Sequence, residues 1–230
     1  MALAHPQSQE PLYMTQSDYL EFEEKSELKH EFVNGRVYAM AGAGLNHNII
    51  NGNLQTTLNN QLSDKPCIVV SSDMRLKVES DSVSFRYPDT MVMCGDIELA
   101  DNRSDTVTNP SVIIEVLSPS TALKDYNEKL EEYTKIESVQ YYVIVAQHTA
   151  KVEVFSRHES GKWLYEIISG LDSSVDLRAI GCTLSLTNLY AKTSNLRSAD
   201  GENWEVLGFV EGNGTTIEVV NYDFIDAQPL

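Results

Sequence analysis

The run Val112-Ile113-Ile114-Glu115-Val116-Leu117 places one carboxylate inside an otherwise apolar strand. An ionised carboxylate there is costly unless a cation or several hydrogen-bond donors meet it. Arg86 and Lys129 are the cations that would make it an internal salt bridge. A second carboxylate, Asp89, follows Tyr87-Pro88. Alone, a Pro-Asp pair is commonly turn chemistry. On a strand neighbouring that of Glu115, it completes a hard-oxygen site of the kind Mg2+ accepts, with water and substrate phosphate filling the remaining positions. His47 lies on the apolar stripe of a helix, at the N-terminal end, where backbone N–H groups favour anions. It is therefore either a packing residue or a phosphate contact. Glu31 opens a strand, Tyr133 reads as packing, and Arg75 and Lys77 share a strand face as ordinary solvated charges.

The elements that must position these residues are legible from periodicity. An acidic helix spans Ser17 to Lys29. Asn34-Gly35, flanked by Glu31 to Val33 and Arg36 to Met40, is the pair that best tolerates the two positive φ angles of a type I′ hairpin. His47, Ile50, Leu54, Leu58 and Leu62 recur at three- and four-residue steps, so a helix runs from Leu45 to Leu62 with an asparagine-rich first half. Strands follow at Cys67 to Val70, at Met74 to Val78 with one face wet, and at Val83 to Met93. The last is interrupted by Pro88, which cannot donate to a ladder and implies an edge or a bulge. A polar loop covers residues 95–109. Beyond Val112 to Leu117, Ser118-Pro119-Ser120-Thr121 caps a helix reaching Ile136, with Tyr126, Leu130 and Tyr133 on its packing face. Strands at Tyr141 to Ala146, Lys151 to Phe155 and Lys162 to Ile168 complete an α/β core around a mixed sheet. Residues 1–190 form this unit. Residues 191–230 form an acidic extension, read as a docked hairpin of Trp204 to Val210 and Thr215 to Phe224.

The chain has 230 residues, 17 basic and 34 acidic, for a net charge of -17. That excludes a broad cationic surface gripping nucleic acid by phosphate neutralisation alone. Residues 198–230 carry seven acids and no base, and the acidic segments 17–31 and 95–109 hold much of the rest. The part bearing Asp89, Glu115 and Lys129 is close to neutral, so a polyanion would be met locally. The first residues show no cationic leader and no run approaches a membrane span. Cys67, Cys94 and Cys182 are odd in number and widely spaced, which argues against a disulfide framework or a thiolate zinc site and for a reducing cytoplasm.

R-Y-P-D at 86–89, I-I-E-V-L-S-P-S at 113–120, D-Y-N-E-K-L-E-E-Y at 125–133 and Y-Y-V-I-V at 141–145 occur in that order. With H-E-F-V-N-G-R-V-Y at 30–38 and His47, this set resembles the Uma-two family, a bacterial branch of the PD-(D/E)XK nuclease superfamily grouped with restriction endonucleases. The likeness covers roughly residues 15–190. It implies a restriction-endonuclease-like α/β (α+β) fold with an αβββαβ core and phosphodiester hydrolysis in nucleic acid, DNA before RNA. Asp89, Glu115 and the Val116 carbonyl would hold Mg2+, with Mn2+ as substitute. Glu31 resembles an acid that some superfamily members contribute through water. Many superfamily nucleases act as dimers, which extends the analogy to a homodimer.

One departure matters. The superfamily lysine two residues after the acid is Leu117 here. Lys129 resembles the family's lysine on the following helix. At ~1.5 Å per helical residue and ~3.3 Å per strand residue, a helix folded back along its strand brings Lys129 within reach of Glu115. The competing place for Lys129 is a surface pair with Asp125. The loss of the strand lysine and the acidity also leave open a non-catalytic, nuclease-like binding or regulatory protein. A hydrolase of another phosphate ester stays open too, since fold does not fix substrate.

Overall fold

The computed structural model describes residues 12–100, 103–117, 122–197 and 217–219, with the backbone alone for 122–127 and 217–219. The elements are β1 (Leu12–Tyr13), α1 (Gln16–Lys25), β2 (His30–Val33), β3 (Arg36–Ala39), α2 (Leu45–Leu62), β4 (Cys67–Ser71), β5 (Arg75–Glu79), β6 (Val83–Arg86) and β7 (Thr90–Cys94). There follow β8 (Thr106–Val107), β9 (Val112–Leu117), α3 (Ala122–Thr134), β10 (Tyr141–Ala146), β11 (Lys151–Arg157), β12 (Trp163–Ser169), β13 (Ser174–Leu177), β14 (Cys182–Ser185), α4 (Leu186–Leu189) and β15 (Ile217–Val219).

Among the described residues the strands form two large sheets. One has the order β1-β3-β2-β6-β5-β8, the other β15-β12-β11-β10-β9-β7-β4, and β13-β14 stands as a separate hairpin. The second sheet is mixed: β9 and β10 run parallel, joined through α3, and β7 lies antiparallel to β9. α2 buries Ile50, Leu54, Leu58 and Leu62 against one face, with Val112, Ile114 and Val116. The opposite face places Ile113, Met91 and Met93 against Leu130 and Tyr133 of α3 and Leu76 and Val78 of β5. β9 is therefore covered on both sides, which is why its sequence is nearly all apolar.

The hairpin turns through Asn34 (φ 51°) and Gly35 (φ 82°), as its sequence requires. The expected single strand from Val83 to Met93 is two strands in two different sheets. Pro88 marks the switch between them, since its missing N–H ends one ladder before the next begins.

Three expectations are corrected. Arg75 and Lys77 are buried, at 3% and 8% exposure. The wet face anticipated for β5 is covered, and Arg75 lies among the rings of Tyr19, Phe85 and Tyr87 while donating to Asp105 at 2.7 Å. Cys67 and Cys94 stand opposite each other on β4 and β7 and are joined as a disulfide, their Cα atoms 4.0 Å apart. Strand register, invisible in a separation of 27 residues, creates this pair, and it runs against the expectation of a reducing compartment. The acidic helix stops at Lys25, where the Ser26 N–H bonds back to the Glu23 carbonyl. The β13-β14 hairpin has no counterpart in the sequence reading, and the proposed tail hairpin lies outside the described residues except for β15, which pairs with β12. Among the described residues no helix is long and apolar enough to cross a membrane.

Candidate active site

Strand alternation decides which way Glu115 points. Val112, Ile114 and Val116 face α2, so Ile113 and Glu115 face α3. Glu115 is 3% exposed and Lys129 8%. The Lys129 ammonium donates to Glu115 Oε1 at 2.9 Å, and the Tyr133 hydroxyl donates to the same oxygen at 3.1 Å. Lys129 and Tyr133 are four residues apart on α3 and so share one helical face. The structure directs Lys129 inward, and the side chain of Asp125, its competing partner, lies outside the described residues. Tyr133 packs as expected and also carries a polar role that the sequence reading did not assign.

β7 and β9 pair with Thr90 opposite Ile114, so Asp89, one residue before the strand, comes beside Glu115. Asp89 Oδ2 accepts from the Val116 N–H at 2.8 Å. Its Oδ1 lies 3.1 Å from His47 Nε2, and His47 Nδ1 lies 3.0 Å from the Val116 carbonyl oxygen. Both ring nitrogens face acceptors, an arrangement that the doubly protonated imidazolium satisfies. The hydrogen bond to Asp89 raises the His47 pKa, against the opposing effect of burial. His47 thus spans the carboxylate and the carbonyl on which a metal was expected. One helical turn further, Asn51 donates to the Asp89 carbonyl at 3.2 Å and accepts from the Thr90 hydroxyl at 2.6 Å, which Gln55 also approaches at 3.4 Å. His47, Asn51 and Gln55 are four residues apart, a polar stripe of α2 that follows the irregular backbone after Pro88. The asparagine richness of this helix was the available signal.

Behind Lys129 lies Glu31, 3.7 Å from the ammonium and 2.9 Å from Arg86 Nη1. Arg86 also holds Glu132 with two bonds, at 2.8 and 3.0 Å. Arg86, considered above as the partner of Glu115, is instead committed to these two acids. The Glu115 carboxyl is raised to about 7, first of all by burial; Lys129 pulls against this, and the charges of Asp89 and Glu31 add to it. Burial acts to lower Lys129, but Glu115 and Glu31 outweigh it and hold the ammonium above its ordinary value. Burial acts to raise Glu31, and Lys129 and Arg86 reverse this, keeping it anionic. Among the described residues no three carboxylate, imidazole or thiol side chains form a ready-made metal cage. The hard oxygens at this corner are two carboxylates and one backbone carbonyl, a set that suits an ion retaining most of its water.

Over residues 16–187 the chain matches the profile of the Uma2 family, described as "Putative restriction endonuclease". It is 36% identical over 163 residues to an uncharacterized protein of Synechocystis sp., covering 71% of this chain and 92% of the relative. A second uncharacterized protein of that organism is 29% identical over 189 residues, covering 82% and 97%. A crystal structure from Anabaena variabilis, described as "a putative nuclease belonging to DUF820", is similar with a TM-score of 0.63 at 17% identity, covering 77% of this chain and 97% of that one. At this identity the structural likeness speaks for the fold.

Proposed function

The chain belongs to the Uma2 family of restriction-endonuclease-like proteins, and from that premise we propose a metal-dependent nuclease that hydrolyses phosphodiester bonds in nucleic acid, DNA before RNA. One observation supports this most. Lys129 reaches Glu115 from α3 at 2.9 Å, although β9 carries Leu117 where the superfamily lysine is expected. The pairing of acid and lysine is kept while its sequence spacing is not.

In this reading Asp89, Glu115 and the Val116 carbonyl hold Mg2+ or Mn2+. Among the described residues both hydrogen bonds to Glu115 end on Oε1, and in this reading Oε2 would meet the ion. The ion, when bound, would lower the pKa of water and neutralise charge on the scissile phosphate. Lys129, held as an ammonium between Glu115 and Glu31, donates and does not accept. Its role is to orient the attacking water and offset phosphate charge. His47 releases Asp89 Oδ1 and the Val116 carbonyl and offers its positive charge to phosphate. Glu31 keeps Lys129 protonated and serves as the water-mediated acid.

The test is cleavage of supercoiled and single-stranded DNA, and of RNA, in Mg2+ or Mn2+. Cleavage should vanish with chelator, with Glu115→Ala and with Lys129→Ala. Wild-type cleavage by a pure Asp89→Ala protein would sink the proposal. A second reading, a non-catalytic nuclease-like binding protein, is favoured by His47, whose ring already satisfies Asp89 and the Val116 carbonyl. Isothermal titration separates the two: no heat at millimolar Mn2+ favours the second, and binding weakened by Asp89→Ala favours the first.

A further inference from the structure

β4 is the last strand of the seven-stranded sheet, with β7 on one side and no described strand on the other. Which of its backbone groups point outward follows from its neighbour. The Val92 carbonyl accepts from the Ser111 N–H at 2.7 Å, and the Cys94 N–H reaches Ser111 Oγ at 3.3 Å. Residues 92 and 94 therefore turn their backbone groups toward β9. The Gly95 N–H, by contrast, bonds to the Pro66 carbonyl on the β4 side. Since Val92 faces Val69 and Cys94 faces Cys67 across the β4-β7 ladder, these are non-hydrogen-bonded pairs. Cys67, Val69 and Ser71 must then aim their backbone groups at the open edge.

Two of those groups are already used within the chain: the Cys67 N–H bonds to the Lys65 carbonyl, and the Ser71 carbonyl accepts from the Met74 N–H. Among the described residues, what remains is the Cys67 carbonyl, the Val69 N–H and carbonyl, and the Ser71 N–H. This set is self-complementary. In an antiparallel pairing centred on Val69, the Val69 N–H of each copy meets the Val69 carbonyl of the other, and the Ser71 N–H of each meets the Cys67 carbonyl of the other. All four bonds use groups that are left over, and none needs a group already taken. The side chains agree. Ile68 is 43% exposed, and this register sets it opposite Val70 of the second copy, on the same face. No charge or proline interrupts Cys67-Ile68-Val69-Val70-Ser71, whereas guarded edges carry one or the other.

We propose that β4 is the interface of an isologous dimer in which two seven-stranded sheets join edge to edge. The inference stands apart from the nuclease reading. Its consequence for that reading is geometric. The two-fold axis is normal to the sheet, so both Asp89–Glu115 sites lie on one face with opposite polarity. From ~4.8 Å between strands and ~3.3 Å per residue they are about 28 Å apart before twist. A duplex, whose strands are antiparallel, would meet two such sites in matching orientation.

The experiment is sedimentation velocity of the full chain at tens of micromolar in physiological salt, paired with amide exchange. We expect a mass near twice 25.7 kDa, slowed exchange at Val69 and Ser71, and dissociation at low salt, because each copy carries a charge of -17. Val69→Pro removes only an outward N–H and so breaks no bond within the monomer. Ile68→Lys sets a charge against Val70 of the second copy. Both should sediment as folded monomers, with the mass halved. A wild-type monomer up to ~100 µM would overturn the proposal. So would a dimer that persists in Ile68→Lys, which stands as the test should Val69→Pro fail to fold.

Discussion

The two helices that clamp the β7-β9 pair serve one carboxylate each, and they serve them by different means. α3 meets Glu115 with an ammonium and a phenol in a sealed pocket, and the cation is itself shared with Glu31. α2 meets Asp89 with an imidazole while Asn51 holds its backbone, and the rest comes from the Val116 amide. Side-chain exposure follows the same division: 4% for Glu115 against 15% for Asp89. The α3 side therefore holds its carboxylate within one buried charge network, whereas Asp89 and His47 on the α2 side lie nearer to solvent and depend less on each other's charge.

The largest effect that tests this difference is Lys129→Met. Removing one member of a buried pair leaves the other uncompensated, which costs about 3–5 kcal/mol. Urea denaturation should show it, and adding Glu115→Gln should return stability to within ~1 kcal/mol of wild type while cleavage stays absent. A loss below ~1 kcal/mol for Lys129→Met alone would mean that Glu115 does not depend on its cation, and the contrast between the two sides would fail. Next in size is Asp89→Asn on the α2 side. The amide oxygen can still accept from the Val116 N–H, so the expected stability loss is only ~1 kcal/mol. Cleavage should nonetheless fall to background. A stability loss as large as that of Lys129→Met would show that Asp89, too, is held as part of the fold.

Much of this arrangement was legible in the residues. A lone Glu in an apolar strand and a Pro-Asp break singled out Glu115 and Asp89, the resemblance to the family's helix lysine singled out Lys129, and the fixed rises of strand and helix let Lys129 reach Glu115. The α2 helix from Leu45 to Leu62 and the Asn34-Gly35 turn were equally determined by local rules. What stayed hidden depends on which strands meet. The Cys67–Cys94 bridge follows from the register of β4 against β7 and the burial of Arg75 and Lys77 from what covers β5, and no local pattern carries that information. Pro88 shows both sides of the limit. Its missing donor announces a break, but only the assembled sheets reveal that the chain changes sheet there and so delivers Asp89 to Glu115.

The smallest expected effect serves as a control from outside the β7-β9 clamp. Asp105 accepts from Arg75 at 2.7 Å and from Arg103 at 2.9 and 3.2 Å, and its carboxylate is partly open to solvent. Burial acts to raise its pKa, but the two guanidiniums and Thr106 hold it down at about 2, below the ordinary 3.8. A carboxyl with a depressed native pKa contributes stability that is fully present above the ordinary value and is lost as pH falls through the native one. Asp105→Asn should therefore flatten the fall in urea stability between pH about 4 and about 2. At pH 7 it should cost about 1 kcal/mol, because the asparagine oxygen can still accept from the buried Arg75, which also lies against three rings, and solvent screens the half-exposed Asp105 end. Unlike Glu115, Asp105 can be rehydrated when its partners leave, so the same kind of contact, at a similar distance, carries far less weight. An acid slope unchanged by Asp105→Asn would place the acid sensitivity in other carboxylates. A cost at pH 7 approaching that of Lys129→Met would remove burial as the reason the α3 network stands apart.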